Sequence, residues 1–211
     1  MVPGLGVGTI MTALALCSGT PLEPLPILYI LASARWVYGT DRYLDGKTDD
    51  TPESLACSLF IANLILWYHD LTPWIIPEIS SVLCYPQFKK TFPLLKPFYV
   101  GTFWTGAITI VPHLIADVDI DYDQTMAIGL LSSSVSNWAD IEDVDEDTSQ
   151  NIYTIPSRYG VTNTRLLSAG LFIGSLYKSG IVPRALPNKK KKPSNYILHK
   201  PLTLSGLVYT I

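Results

Sequence analysis

Charged residues are scarce in this chain of 211 residues, at 16% of the total, against about 25% in an average soluble domain. Much of the charge lies in four short stretches, residues 41–53, 117–123, 140–147 and 184–192. Long apolar tracts separate them, and 48% of all residues are hydrophobic. The net charge of −3 and the single basic run, Lys189–Lys192, which has no aromatic residues among its lysines, argue against a nucleic-acid partner.

Cysteine is also rare, which argues against a disulfide framework or a thiolate metal site. Cys17, Cys57 and Cys84 lie in apolar runs, and no two of them have the C-x-x-C spacing. We therefore expect buried, unreactive thiols. A basic region of the kind that opens a secretory signal is absent from residues 1–17.

Seven apolar segments predict a bundle of helices. Their ranges are 2–17, 26–39, 55–68, 71–85, 94–115, 125–138 and 161–177. The segment 94–115 is long enough to cross a bilayer, which takes about 20 residues. Thr51 and Pro52 are typical of a helix start, because threonine caps free backbone N–H groups and proline lacks one. Residues 86–93 are expected to form a loop bounded by two prolines.

The distribution of lysine and arginine favours a membrane bundle over a soluble one. Several segments are short for a span, and each alone would suit a soluble core. Every second loop, however, lacks both residues, and the alternate loops with their flanking segment ends hold Arg35, Arg42, Lys47, Lys89, Lys90, Lys96, Arg158 and Arg165. Alternate loops lie on opposite sides of a membrane, so this is the positive-inside pattern. The predicted fold class is all-α, a multi-pass transmembrane helical bundle of about seven helices.

Two acidic stretches carry carboxylates about one helical turn apart. The first holds Asp41, Asp45 and Asp49 at every fourth position, and the second holds Asp143 and Asp147 at the same spacing, with Asp140 one turn earlier. On a helical turn, residues four apart share a face, where like charges repel by about 0.2–0.5 kcal/mol per pair. A divalent cation would remove that repulsion, and carboxylates together with phosphate oxygens are ligands that Mg²⁺ prefers.

The topology places both acidic stretches on one side of the bundle. Four segments separate them, so the chain returns to the side from which it started. Lys89 and Lys90 follow the fourth segment and share that side. Carboxylates and lysines together predict a metal-diphosphate site. The alternative is a pair of solvated linkers, an interpretation that suits residues 117–123.

These residues resemble the motifs of the intramembrane prenyltransferases of the UbiA superfamily. The first family motif, N-D-x-x-D-x-x-x-D, is similar to residues 41–49. The second, followed by T-x-P-x-x-x-G, is similar to residues 139–147 and 154–160. Residues 85–90, Tyr-Pro-Gln-Phe-Lys-Lys, are similar to the family's Y-P-x-x-K-R. The resemblance covers residues 25–177.

The resemblance implies an integral membrane enzyme that transfers a polyprenyl group from its diphosphate to a lipophilic, often aromatic, acceptor with Mg²⁺. In that scheme Asp45 and Asp49 hold one metal ion and Asp143 and Asp147 hold the other, and these four are the catalytic candidates. The implied diphosphate contacts are Asp41, Arg42, Lys89, Lys90 and Arg158. Tunnels that face the lipid would take the isoprenoid tail.

The chain departs from the family pattern in two ways. Asp41 and Arg42 stand where the first motif has Asn and Asp, and there are fewer apolar segments than in the family bundle. We expect residues 1–178 to form an incomplete prenyltransferase domain, and the Pro- and Lys-rich residues 179–211 to lie outside its core, as after a truncated or mis-spliced gene. Two alternatives stay open, a relative made inactive by Arg42 and the missing helices, and a soluble isoprenoid synthase with paired aspartate motifs.

Overall fold

The computed structural model describes residues 23–46, 50–149 and 151–180, which form a bundle of helices. No strand occurs in these three ranges. The all-helical class predicted from the sequence is therefore confirmed for this part of the chain. The predicted first segment, residues 2–17, and the predicted tail, apart from its first two residues, lie outside the described residues.

Nine α-helices account for most of the described residues. They are α1 (Pro24–Leu44), α2 (Pro52–Tyr68), α3 (Ile75–Thr91), α4 (Lys96–Thr105), α5 (Val111–Ile115), α6 (Tyr122–Ala139), α7 (Val144–Ser149), α8 (Ile155–Tyr159) and α9 (Val161–Lys178). Single 3₁₀ turns, Thr72–Trp74 and Pro93–Leu95, lead into α3 and α4. Helix α1 packs on α2, and α6 packs between α4 and α9.

The start of α2 follows the prediction made from Thr51 and Pro52. Thr51 is extended and its hydroxyl oxygen accepts a hydrogen bond from the Ser54 amide at 3.3 Å. Pro52 is the first helical residue, where its missing N–H group has no partner to lose. The local sequence is therefore enough to fix this helix end.

The predicted loop over residues 86–93 is wrong. Helix α3 continues through Pro86 to Thr91, and so Lys89 and Lys90 lie on its last turn. Pro86 removes one backbone hydrogen bond, but the helix tolerates that loss. The signal that ends the helix is Pro93. A proline disfavours the α conformation of the residue before it, and Phe92 accordingly adopts φ −128° and ψ 55°, while Thr91 is still helical.

Helices α4 and α5 belong to one helical stretch, Pro93–Ile115, joined by a π-helical turn over Gly106–Ile110. The turn lies next to Pro112, whose ring would clash with the carbonyl of Ile108 in a regular α-helix. A wider turn relieves such a clash. Among the described residues, this 23-residue stretch is the one helix that is long and apolar enough to cross a membrane.

Two hydrophobic clusters hold the bundle together, and the Pro93–Ile115 stretch contributes to both. The first cluster contains Ile30, Ala34, Trp104, Ala107, Ile108 and Ile128. The second contains Tyr29, Ala32, Ala62, Ile65, Leu66, Val111 and Ile115. Residues up to Ile108 therefore pack towards α6, and residues from Val111 onward pack towards α2.

The outer faces of the helices are also apolar. Large exposed side chains include Phe60, Trp67, Ile76, Leu83, Leu166 and Ile173, each more than 60% exposed. Cys57 and Cys84 are exposed as well, so the expectation of buried thiols is wrong for these two, while Cys17 lies outside the described residues. When the outer face of a helix is also apolar, a cysteine in an apolar run of the sequence can lie on either face, so the run does not predict that its thiol is buried.

Helices α4 and α6 approach closely at Gly101, which leads to a first prediction. A methyl group on Gly101 would meet the Ser133 hydroxyl and would lie 2.6 Å from the Gly129 carbonyl oxygen, which is backbone and cannot rotate away. We expect Gly101→Ala to lower the free energy of unfolding by about 1–3 kcal/mol, because overpacking moves the two helices apart. Thermal unfolding in detergent measures the loss.

Gly170→Ala is the matched control, because nothing lies within 4 Å of a methyl group there. Alanine is the better helix former by about 0.5–1 kcal/mol, so this change should leave the protein as stable or more stable. Equal unfolding temperatures for the two variants would contradict the close approach of α4 and α6.

Candidate functional site

The second acidic stretch places one carboxylate, Asp147, deep in the bundle. Asp147 lies on α7, is 1% exposed and forms an ion pair with Lys89 of α3 at 3.0 Å. Its amide bonds to the Asp143 carbonyl at 2.8 Å, so the two aspartates share a helical turn as their spacing predicted. Among the described residues neither Asp147 carboxylate oxygen receives a well-directed hydrogen bond. A buried carboxylate with unused lone pairs is suited to a cation.

A second buried ion pair lies beside the first. Lys96, at the start of α4, donates a short hydrogen bond to Asp140, the C-cap of α6, and the two residues are 6% and 1% exposed. Burial raises the pKa of the Asp140 carboxyl, and the Lys96 ammonium group opposes part of that shift. Lys96 also interacts electrostatically with Asp147 and Asp143. Its positive charge therefore interacts with all three aspartates of the second stretch.

Tyr85 of α3 lies within electrostatic range of both acidic stretches. Its side chain is half-buried, and its hydroxyl interacts electrostatically with Asp41 and Asp45 of the first stretch and with Asp140 and Asp147 of the second. Carboxylates that are about a hundred positions apart in the chain therefore influence the same hydroxyl group.

The first acidic stretch begins as a helix and then leaves the described residues. Asp41 is half-buried on the last turn of α1, and Asp45 is the exposed C-cap, with its amide bonded to the Asp41 carbonyl at 3.1 Å. These two aspartates therefore share a helical face. Asp49, a predicted metal ligand, lies outside the described residues. Arg42 directs its guanidinium group to Tyr38, 3.5 Å from the hydroxyl and 5.8 Å from the ring centre.

The remaining predicted residues differ in their interactions with the acidic stretches. Asp143 is half-buried beside Lys96, with which it interacts electrostatically. Lys90 is exposed, and Arg158 is exposed and stacks on the Tyr159 ring at 5.7 Å. Within the described part of the chain, neither forms an ion pair with a carboxylate, whereas Lys89 pairs with Asp147.

Sequence reasoning missed the roles of Lys96 and Tyr85. Lys96 was counted only among the basic residues of one membrane side, and Tyr85 only as part of a motif. A lysine at the start of the long apolar helix was the available signal, because burying its ammonium group requires a carboxylate partner. Nothing in the sequence identified Asp140 as that partner.

The donor set fits a metal ion that shares its coordination with phosphate. In the described ranges no three histidine, cysteine or carboxylate residues form a group that could hold a metal alone. Mg²⁺ at phosphate sites typically takes one or two carboxylates and completes its shell with water and substrate oxygens. Asp147 is the strongest candidate ligand, since it is buried and, among the described residues, its Oδ2 has neither a hydrogen bond nor an ion pair.

Three comparisons with known proteins found no match for this chain. No model of a protein family matches the chain. No curated protein and no solved structure matches it either. Residues and geometry therefore carry the functional conclusion.

Proposed function

We propose that this chain is a membrane-embedded, Mg²⁺-dependent prenyltransferase of the UbiA type, which moves a polyprenyl group from its diphosphate to a lipophilic acceptor such as an aromatic ring. The observation that supports this most is the buried Asp147 carboxylate paired with Lys89, beside Asp140 paired with Lys96. Both acidic stretches also lie within electrostatic range of the Tyr85 hydroxyl. Lys89 and Lys96 bring two ammonium groups to the same place. Clustered carboxylates and ammonium groups suit a metal-bound diphosphate.

In this proposal the metal and the protein divide the work. Mg²⁺, when bound, supplies Lewis-acid stabilisation of the negative charge on the departing diphosphate. Asp147, Asp143 and Asp45, with Asp49 outside the described residues, are the candidate ligands. Lys89 donates charge-assisted hydrogen bonds to phosphate oxygens. The bond between the allylic carbon and the diphosphate oxygen breaks, and the acceptor forms a bond to that carbon and loses a proton.

We further infer that the bundle crosses the membrane several times. The Pro93–Ile115 stretch has the length and apolar composition of a span, although a soluble core helix can share both. Exposed side chains such as Trp67, Ile76 and Leu83 favour lipid contact, because a soluble protein seldom leaves so much apolar surface in water. The alternation of basic loops supports the same arrangement.

The test is diphosphate release by the full chain, purified in detergent from alkali-washed membranes. With geranylgeranyl diphosphate and millimolar Mg²⁺, and with water as the acceptor of the allylic group, we expect steady release of diphosphate together with geranylgeraniol and a proton, and we expect EDTA to stop it. The physical reason is that the leaving group carries charge that only a cation-rich site stabilises. Farnesyl and longer polyprenyl diphosphates, assayed in parallel, define the preferred chain length.

Two results would contradict the proposal in different ways. Recovery of the chain in the alkaline wash would contradict the membrane arrangement and return the soluble synthase as the better interpretation. Absence of Mg²⁺-dependent release at every chain length, from protein that remains folded in detergent, would favour the inactive relative.

A further inference from the structure

Glu78 of α3 is a buried carboxyl group, as Asp140 and Asp147 are, but it belongs to neither acidic stretch of the sequence. Glu78 is 4% exposed and accepts hydrogen bonds from the Ser33 hydroxyl at 2.8 Å and from the Tyr29 hydroxyl at 3.4 Å. Among the described residues no basic side chain forms an ion pair with it. Burying a carboxyl group without a cation is costly, and two hydroxyl donors offset only part of that cost.

Glu78 lines a cavity of about 580 Å³ between α3 and α4. Aromatic side chains form much of the wall, among them Trp74, Phe88, Tyr99 and Phe103. The volume lies within the range of small-molecule pockets, roughly 300–1,000 Å³, and such pockets combine apolar walls with a few polar groups. The cavity therefore has the size and lining of a site for a lipophilic ligand.

The other hydroxyl groups on the walls are already engaged as donors. Tyr29 donates to Glu78, and the hydroxyls of Ser80, Ser81, Tyr99 and Thr102 each donate to a backbone carbonyl oxygen. Among the described residues, Glu78 is the one carboxyl group that lines this cavity. Each carboxylate oxygen can accept about two hydrogen bonds, and Ser33 and Tyr29 use one position on each. Both oxygens thus retain capacity for a further donor.

We propose that this cavity binds a lipophilic molecule that carries a hydroxyl group, and that this hydroxyl donates a hydrogen bond to Glu78. The aromatic walls exclude a strongly polar ligand. A hydroxyl group can donate to Glu78 whether its carboxyl group is ionised or neutral, whereas an ammonium group is suited only to the ionised form. Glu78 therefore selects for a donor at one end of an otherwise apolar molecule.

Glu78 lies at the end of the cavity away from the candidate diphosphate site. It precedes Lys89 by eleven positions on α3, which is about 16 Å along a helix, whereas the cavity wall extends to Phe88, next to Lys89. Binding at Glu78 does not require the reaction proposed above, so a catalytically inactive chain would still bind. Failure of one proposal leaves the other intact.

Photolabelling of the full chain in detergent tests the proposal with a matched pair of probes. The first is a sixteen-carbon alcohol with a diazirine in mid-chain, and the second is its methyl ether, which cannot donate a hydrogen bond. We expect the alcohol to label peptides of α3 and α4 at a half-saturating concentration about tenfold lower than the ether, as the loss of one hydrogen bond to a buried carboxyl group implies.

Variants separate the cavity from the carboxyl group. Cys84→Trp places a bulky side chain on the cavity wall and should abolish labelling by both probes, while Cys57→Trp changes the other exposed thiol and should leave labelling intact. Glu78→Leu should remove the difference between alcohol and ether. Should Glu78→Leu fail to fold, the two probes on the unaltered chain still decide the outcome.

Three results would overturn the proposal. The alcohol and its ether could label the unaltered chain equally, Cys84→Trp could leave labelling unchanged, or the corresponding long-chain amine could label at a lower concentration than the alcohol. The first would remove the role of Glu78, the second the cavity, and the third the preference for a neutral hydroxyl.

Discussion

Asp147→Asn is expected to slow Mg²⁺-dependent diphosphate release from geranylgeranyl diphosphate by about 100-fold or more, the usual effect of removing one charge-stabilising group from a buried site. Asparagine keeps the shape of the side chain but removes its negative charge, so a metal ion loses a ligand and Lys89 loses its partner. The half-saturating Mg²⁺ concentration should rise in parallel. A coupled diphosphate assay over a range of Mg²⁺ concentrations measures both.

Asp145→Asn is the matched control. Asp145 lies on the same helix, two positions before Asp147, but is exposed. It should therefore keep the rate and the Mg²⁺ dependence of the unaltered chain. Equal losses of rate in the two variants would indicate that the total negative charge of α7 matters, and not coordination of the metal by Asp147. An unchanged rate in Asp147→Asn would show that Asp147 is not part of the site.

Lys96→Met is expected to lower the free energy of unfolding at neutral pH by about 3–5 kcal/mol, because it leaves the buried Asp140 carboxylate without its cation. Methionine retains most of the apolar stem of lysine, so the loss reports charge more than packing. Chemical unfolding in detergent, followed by circular dichroism, measures it. Lys90→Met is the control. Lys90 is exposed on the last turn of α3, so the loss of its charge should change the free energy of unfolding little.

The pH dependence of Lys96→Met provides a separate check. Burial already raises the pKa of Asp140, and removal of Lys96 raises it further. A carboxyl group whose pKa is higher in the folded state than in the unfolded state binds protons more tightly when folded. The stability deficit of the variant should therefore shrink as pH falls below neutrality. A deficit that stays constant from pH 7.5 to pH 5 would contradict the assignment of Asp140 as the unpaired charge.

Local signals in the sequence predicted local structure well. Thr51 and Pro52 define the start of α2, because capping depends on only a few neighbouring residues. The spacing of four residues between Asp143 and Asp147 corresponds to one helical turn, which also depends only on neighbouring residues. Pro86 was misleading, since a helix held by tertiary packing can absorb one missing hydrogen bond.

Long-range contacts were only partly predictable. Counting crossings predicted both acidic stretches on one side, a prediction that still rests on the sequence, although both stretches interact electrostatically with the Tyr85 hydroxyl. The pairing of Lys96 with Asp140 depends on how α4 and α6 are rotated against each other, which no short pattern in the sequence encodes. Burial of Cys57 and Cys84 was wrongly expected because apolar composition does not distinguish an inner helix face from an outer one.

The π turn over Gly106–Ile110 amounts to a phase shift within one helix. An α-helix turns 100° per residue, so one extra residue in a turn rotates everything beyond it by about that angle. Trp104 and Val111 consequently serve different clusters although they lie on the same continuous stretch. Removing a single residue from this turn would straighten the helix and turn Val111 and Ile115 away from α2, so the register of this segment matters as much as its composition.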